Sequence, residues 1–246
     1  MSRQFNTVDR TSKKLQPNKF FYIACEGHMT ETHYFKSLNK VGELCKFIHF
    51  QRPEKESTNS APTNVFATLK KNLKSRGIHP KVDECWIVVD RDAWGSNLEE
   101  AVNLCLSNDC KFAVTSPCIE LWFIMHLIDV SELIEPLKKI LFDNSKIRVT
   151  RDRKRVRLNF CELYLEFLMK IKVNPNATYR KSRNLPSYFF DPEVIESAII
   201  QARKIENHLK ATDVDYQYPL SEIGSQLYLL IEAFLKFNSD NSSYLK

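Results

Sequence analysis

Glycine is scarce in this sequence, and no hydrophobic run is long. Five of the 246 residues are glycine, a proportion that favours helices over a loop-rich β architecture. The most apolar stretch, residues 119–128, contains Glu120 and His126 and is far shorter than the roughly 20 residues that a membrane-spanning helix needs. Residues 1–19 are polar and basic and lack the apolar centre of a secretory signal. We therefore expect a cytoplasmic protein with no membrane association.

The cysteines show no pairing pattern. They are seven in number, none is spaced C-x-x-C, and most lie in apolar runs. The six histidines do not cluster beside them as a structural zinc site requires. The sequence therefore predicts buried free thiols in a reducing compartment and no zinc module.

Size and charge allow several classes of protein. At 246 residues and 43% hydrophobic, the chain can bury one substantial core. Lysine and arginine number 36 against 30 aspartate and glutamate, and the net charge of +6 permits a polyanionic partner without requiring one. The positions of the cations therefore matter more than their total.

Strand and helix patterns alternate along the first half of the chain. Short apolar runs at Lys19–Cys25, 46–50, 85–89 and 111–115 predict strands, and apolar residues at helical spacing predict helices between them. Beyond Pro117 the patterns are mainly helical. The sequence thus predicts an α/β protein with a mainly parallel sheet flanked by helices. Its parts are a flexible basic segment (1–18), a core (19–130) and a mainly helical C-terminal region (131–246).

Acidic residues follow two of the predicted strands. Glu26 closes the first strand, whereas Asp90 closes the third and Asp92 comes two residues later. Ligands of parallel sheets bind beyond the carboxyl ends of the strands, so we expect these three carboxylates at one edge. Like charges there repel unless a cation is bound, and Mg²⁺ and Mn²⁺ prefer oxygen ligands. A lone acid at a strand end is ordinarily solvated or caps a helix, so the prediction depends on the combination.

Three segments resemble the signature blocks of RloB-like proteins, relatives of the Toprim nucleases. They are ACEGHMTETHYF (24–35), VVDRDAW (88–94) and SPCIELWFIMH (116–126), in matching order and spacing. The resemblance implies a Toprim-like fold in which Glu26, Asp90 and Asp92 organise one or two Mg²⁺ or Mn²⁺ ions for phosphodiester cleavage. It also implies the effector of a bacterial anti-phage system, often encoded beside an ABC-type or AAA-type ATPase. The sequence has no G-x-x-x-x-G-K-[ST] loop, so a partner would have to hydrolyse any nucleotide.

Two further acids are candidate metal ligands. By the resemblance, Glu31 corresponds to an acid that helps to hold a second metal in OLD-type nucleases; the alternative is a first-turn acid that favours the helix N-terminus. Glu120 follows the predicted strand 111–115 and is a candidate additional ligand. His126 is expected to be packed in the interior, and Arg91 is expected to point away from the aspartates.

Cationic residues are concentrated in residues 146–157, which hold seven cations and one acid. The alternating pattern predicts an extended or hairpin-like arm that follows a nucleic-acid backbone, although a solvated charge run is the alternative. A smaller group near Tyr179 could add phosphate contacts. The predicted nucleic-acid contacts are Lys146, Arg148, Arg151, Arg153, Lys154, Arg155, Arg157, Arg180 and Lys181.

The predicted function is a Mg²⁺- or Mn²⁺-dependent nuclease acting on DNA or RNA. One alternative is a phosphatase with Asp90 as a covalent nucleophile, although such enzymes usually carry that motif on the first strand. The other is a non-catalytic subunit that binds nucleic acid or an ATPase through the basic arm and the helical C-terminal region.

Overall fold

A computed structural model describes residues 19–51, 60–91 and 94–240. The predicted flexible segment 1–18 and Asp92 therefore lie outside the described residues. The strands are β1 (Lys19–Cys25), β2 (Cys45–His49), β3 (Glu84–Asp90), β4 (Lys111–Ser116), β5 (Lys146–Arg151), β6 (Lys154–Asn159) and β7 (Gly224–Ser225). The helices are α1 (Thr30–Leu38), α2 (Pro62–Arg76), α3 (Ser96–Ser107), α4 (Ile119–Met125), α5 (Glu135–Asp143), α6 (Phe160–Lys172), α7 (Pro192–Thr212) and α8 (Leu227–Asp240).

A five-stranded sheet has the order β2-β1-β3-β4-β7. Strands β1 to β4 pair in parallel, and the two-residue β7 pairs antiparallel to β4. The predicted fold class, a mainly parallel α/β sheet flanked by helices with a C-terminal helix, is confirmed. The central residues of β1 and β3 are apolar, and successive side chains of a strand point to opposite faces, so each strand contributes to an apolar layer on both sides of the sheet.

The two faces of the sheet carry separate apolar clusters. Phe21, Ile23 and Trp86 belong to one, which also contains buried residues of α1, α4, α6, α7 and α8. Ala24 and Ile87 belong to the other, which is covered by α2 and α3. The first cluster is the larger, so the C-terminal helices and the first half of the chain share one hydrophobic core.

The first two helices after β4 are shorter than their apolar patterns predict. The apolar spacing predicts helices over 119–130 and 131–142. The first of these, α4, ends at Met125, and a 3-10 turn, Val130–Glu132, follows. The next helix, expected from residue 131, begins at Glu135, where Pro136 occupies the first turn. Proline suits that position because its missing N–H has no partner in a first turn. The position of Pro136 thus determines where α5 begins, although the apolar pattern starts earlier.

The C-terminal region is part of the core. Phe234 of α8 is fully buried, stacks on Phe47 of β2 at 4.3 Å between ring centroids and meets Phe21 of β1 edge-on at 5.8 Å. A Cβ at Gly42 would lie 2.5 Å from the Phe234 ring, so glycine allows the close approach of α8. Helix α8 therefore packs on this face of the sheet and contacts β2 and β1 through Phe234.

The seven cysteines are all free and buried, as predicted. Within the described segments, no helix is both long and apolar enough to span a membrane.

Replacing Phe234 with alanine should lower the free energy of unfolding by about 3–5 kcal/mol, because it leaves a cavity between α8 and the sheet. Phe167→Ala is the matched control: that ring is 55% exposed on α6, and its loss should cost no more than about 0.5 kcal/mol. Urea unfolding of both variants measures the difference. Equal losses would show that α8 does not close this core.

Candidate active site

Glu26 and Asp90 lie side by side where two parallel strands end. The register pairs Cys25 of β1 with Val88 of β3, and the amide of Glu26 donates to the Val88 carbonyl at 2.9 Å. The amide of Asp90 in turn donates to Glu26 Oε2 at 3.0 Å. Glu26 is 9% exposed, and Asp90 is half-buried. The parallel pairing of β1 with β3 thus brings together two acids that are 64 residues apart.

These two acids open onto a cavity of about 350 Å³. Glu31 from the first turn of α1, Cys118 before α4 and Lys181 also form its wall. A larger cavity, of about 570 Å³, lies beside the start of α7 and is lined by His126 rather than by the site acids. The smaller cavity is the candidate site because it combines convergent carboxylates with a cation.

Glu31 is held against the turn that follows β1. Its carboxylate is 3% exposed and accepts the Gly27 amide at 2.9 Å. A Cβ at position 27 would lie 2.0 Å from Glu31 Oε2, so only glycine leaves room for this contact. Burial, and then the negative charge of Glu120, raise the pKa of Glu31. Glu31 is thus a first-turn acid that also lines the cavity, and its role as a metal ligand stays a prediction.

Glu120 lies behind the cavity rather than on its wall. It is fully buried in the first turn of α4, where Oε1 accepts the Tyr179 hydroxyl at 2.7 Å and pairs with Lys181 Nζ at 3.4 Å. Among the described residues, Oε2 has no hydrogen-bond partner. The structure therefore places this predicted ligand next to a tyrosine and a lysine, one layer deeper than Glu26 and Asp90.

Lys181 brings positive charge into the acidic cavity. Its ammonium contacts Glu120 and also Glu162 of α6, at 3.3 Å. Burial acts to lower the pKa of Lys181, but the charges of Glu120 and Glu162 outweigh it and raise the pKa above its ordinary value. Glu162 was not predicted from the sequence, because its only local signal is that of an ordinary first-turn acid.

The donor chemistry of the cavity suits a hard divalent cation. Glu26, Glu31 and Asp90 offer carboxylate oxygens, the ligands that Mg²⁺ and Mn²⁺ prefer. Within the segments 19–51, 60–91 and 94–240, no three His, Cys, Asp or Glu side chains form a group that could hold a metal ion. Asp92, the remaining predicted ligand, lies outside those segments. The cavity residues thus fit the ion in chemical type and would need a further oxygen ligand.

Residues 146–159 form the predicted basic arm, a two-stranded hairpin of β5 and β6. Its turn places Asp152 and Arg153 at φ 52° and 62°, the left-handed pair that a type I′ turn requires. The pairing of Arg148 with Arg157 and of Thr150 with Arg155 defines one exposed face. Val149 and Val156 belong to the opposite, half-buried face. The alternation therefore separates a cationic outer face from an apolar inner one.

The predicted nucleic-acid contacts fall into two groups. The residues of the first group form no ion pair with an acid in the described part of the chain. They are Lys146, Arg148, Arg153, Lys154, Arg155 and Arg157. In the second, each member is paired with acids. Arg151 pairs with Glu166, Arg180 with Asp152, and Lys181 with Glu120 and Glu162.

Arg91 and His126 behave as expected. Arg91 stacks over the Phe142 ring at 4.0 Å and donates to the Leu220 carbonyl at 3.3 Å, so it serves packing. His126 is 4% exposed, and its Nδ1 lies 2.8 Å from the Trp122 carbonyl. Because a carbonyl can only accept, Nδ1 carries the proton.

Fold and site together define a mixed α/β protein with an acidic cavity at the carboxyl edge of a mainly parallel sheet. The sequence model of RloB-like proteins matches residues 21–234, and the chain belongs to the RloB-like family. Comparisons with curated proteins and with solved structures found no match.

The stability of the fold should fall between pH 6.5 and pH 4 partly because of His126. Burial lowers its pKa from 6.5 to about 4, so the unfolded chain takes up a proton over this range while the folded chain does not. The contribution is absent above pH 6.5 and approaches roughly 3 kcal/mol of lost stability near pH 4. Urea unfolding at several pH values should therefore show a shallower pH dependence for His126→Gln. The exposed His79→Gln serves as control, and identical slopes in all three proteins would refute the assignment.

Proposed function

We propose that this RloB-like protein is a Mg²⁺- or Mn²⁺-dependent nuclease of the Toprim type that hydrolyses phosphodiester bonds of DNA or RNA. The observation that carries the proposal is the direct contact between Glu26 and Asp90 at a cavity that also holds Glu31 and Lys181. Carboxylates gathered at the carboxyl edge of a parallel sheet, next to a cation, suit the binding of a phosphate together with a divalent ion.

Each cavity residue has a task in this proposal. Glu26 and Asp90, together with Asp92, would hold the ion, and Glu31, which also lines the cavity, would supply a further oxygen. A bound Mg²⁺ or Mn²⁺ lowers the pKa of water and neutralises charge on the phosphate. Lys181 also lines the cavity, and its ammonium can donate a charge-assisted hydrogen bond to a phosphate oxygen. The half-buried Asp90 can accept a proton from a nearby water.

The outer face of the hairpin would bind the nucleic-acid backbone. Arg148 and Arg157 stand directly opposite each other, an arrangement that repels unless an anion lies between them. Asn159, the last residue of β6, is also part of the cavity wall, so the hairpin leads directly to the site. This continuity supports one substrate that contacts both surfaces.

We also propose the biological setting that the resemblance implies: an effector of bacterial anti-phage defence in the cytoplasm, working with an ABC-type or AAA-type ATPase. The one feature of the sequence that supports a separate ATPase is that it contains no Walker-type loop. The described residues give no support to the phosphatase alternative, since Asp90 ends the third strand and Glu26 follows the first.

Nuclease activity should require both strand-end acids. Purified protein is incubated with single- and double-stranded DNA and RNA, with Mg²⁺, Mn²⁺ or EDTA. Glu26→Gln and Asp90→Asn should each lower cleavage by at least about 100-fold, a barrier increase of about 2.7 kcal/mol. Glu99→Gln, an exposed acid on α3, is the control. Cleavage that persists in Glu26→Gln, or in EDTA, would refute the proposal.

Binding should depend on the outer face of the hairpin. Replacing Arg148 and Arg157 with glutamine removes two cations, so the slope of log affinity against log salt should shrink by about 1.4 to 1.8. Fluorescence anisotropy in EDTA measures this slope without cleavage, and Lys71→Gln with Lys74→Gln on α2 is the matched control. An unchanged slope would indicate that the cations of the hairpin are a solvated charge run. Strong binding without any metal-dependent cleavage would favour the non-catalytic alternative.

A further inference from the structure

Residues 179–181 connect the basic hairpin with the candidate active site. Tyr179 contacts α6, α4 and the hairpin, Arg180 pairs with Asp152 in the hairpin turn, and Lys181 lies on the cavity wall. Three consecutive residues thus touch both surfaces that the proposed function uses.

At the hairpin end, Arg151 is a half-buried anchor. Its guanidinium donates through Nη1 to the Tyr179 carbonyl at 3.1 Å and through Nη2 to Glu166 Oε2. The Tyr179 amide donates to the same Glu166 oxygen at 3.1 Å. The side chains of Arg151 and Glu166 are 19% and 15% exposed, so these bonds are partly shielded from water. A two-pronged contact of this kind fixes the backbone of Tyr179.

At the cavity end, one oxygen atom joins Tyr179 to Lys181. Oε1 of Glu120 accepts the Tyr179 hydroxyl at 2.7 Å and pairs with Lys181 Nζ at 3.4 Å. Oε2 of Glu120 has no partner among the described residues, so both contacts fall on the same atom. Moving the tyrosine would therefore move the carboxylate that holds the lysine.

The burial of Glu120 restricts the movement of the Lys181 ammonium that pairs with it. Glu120 is fully buried, and a buried charge without its partner is strongly destabilising, so Lys181 stays against it. The Lys181 side chain itself is 48% exposed on the cavity wall. Its ammonium is thus fixed from behind and accessible from the front, as a phosphate-binding group needs to be.

We infer that Arg151, Glu166, Tyr179 and Glu120 form a relay of hydrogen bonds that positions the Lys181 ammonium for a phosphate of the substrate. The four are positioning residues, and the inference rests on the proposed function for the identity of that phosphate. On this inference Arg151 does not contact the nucleic-acid backbone and Glu120 does not bind the metal. Both residues act by positioning Lys181. The hairpin then has two functions: its outer face binds the nucleic acid, and Arg151 on the other face aligns the site.

The relay should affect the cleavage rate more than binding. Tyr179→Phe removes only the hydroxyl that reaches Glu120, and it should lower the single-turnover rate at saturating nucleic acid by about tenfold while Kd changes by less than about twofold. Arg151→Gln should show the same division, whereas Arg148→Gln should weaken Kd. Tyr188→Phe, an exposed tyrosine, is the matched control. A Tyr179→Phe protein that cleaves at the wild-type rate would overturn the inference.

A second measurement does not depend on nuclease activity. Acetylation of Lys181 by an N-hydroxysuccinimide ester is followed by peptide mass spectrometry, with the exposed Lys74 as internal reference. Loosening the ion pair should raise the relative rate at Lys181 by about threefold or more in Tyr179→Phe and Arg151→Gln, but not in Tyr188→Phe. Equal rates in all variants would overturn the relay even if the wild type cleaves nucleic acid. A raised rate in a protein that cleaves nothing would support the relay and contradict the proposed nuclease.

Discussion

The candidate site depends on the parallel pairing of β1 with β3. That register sets the amide of Asp90 within hydrogen-bond distance of Glu26, and each acid lies at the end of a strand whose central residues are mostly buried. A slip of one residue would move each strand's side chains from one apolar cluster into the other, where they would not fit the existing packing. The core therefore stabilises the register, and the register positions the acids. The apolar core and the acidic edge are therefore two consequences of one pairing.

Acids outnumber cations around the cavity, and the surrounding structure makes this arrangement stable. Gly27 donates its amide to Glu31, the Tyr179 hydroxyl reaches Glu120, and Lys181 stands between Glu120 and Glu162. Burial is the main cause that raises the pKa values of Glu31 and Glu162, the negative charge of Glu120 raises them further, and Lys181 acts to lower them. A site of this kind favours an arriving cation, which is the electrostatic reason for proposing a metal.

The basic hairpin shows how much of a local structure can be predicted from an alternating sequence pattern. Alternation along residues 146–157 predicts an extended arm, and the arm is present. The pattern treats its cations as equivalent, yet Arg151 lies on the face with Val149 and Val156 and pairs with Glu166, whereas Arg148 and Arg157 are exposed. Strand alternation marks the two faces, but only the packing of α6 against the hairpin shows which face is covered.

The sequence alone determined the class of fold, the hydrophobic strands and the acids that end them, because consecutive residues encode strand length, side-chain alternation and strand ends. It also indicated that His126 is packed and that the cysteines are buried. Only the tertiary structure decided that Glu120 lies behind the cavity, that Glu162 joins it and that Tyr179 links it to the hairpin. The contact between Tyr179 and Glu120 alone joins residues 59 positions apart, and no local pattern records which distant side chains will share a buried carboxylate.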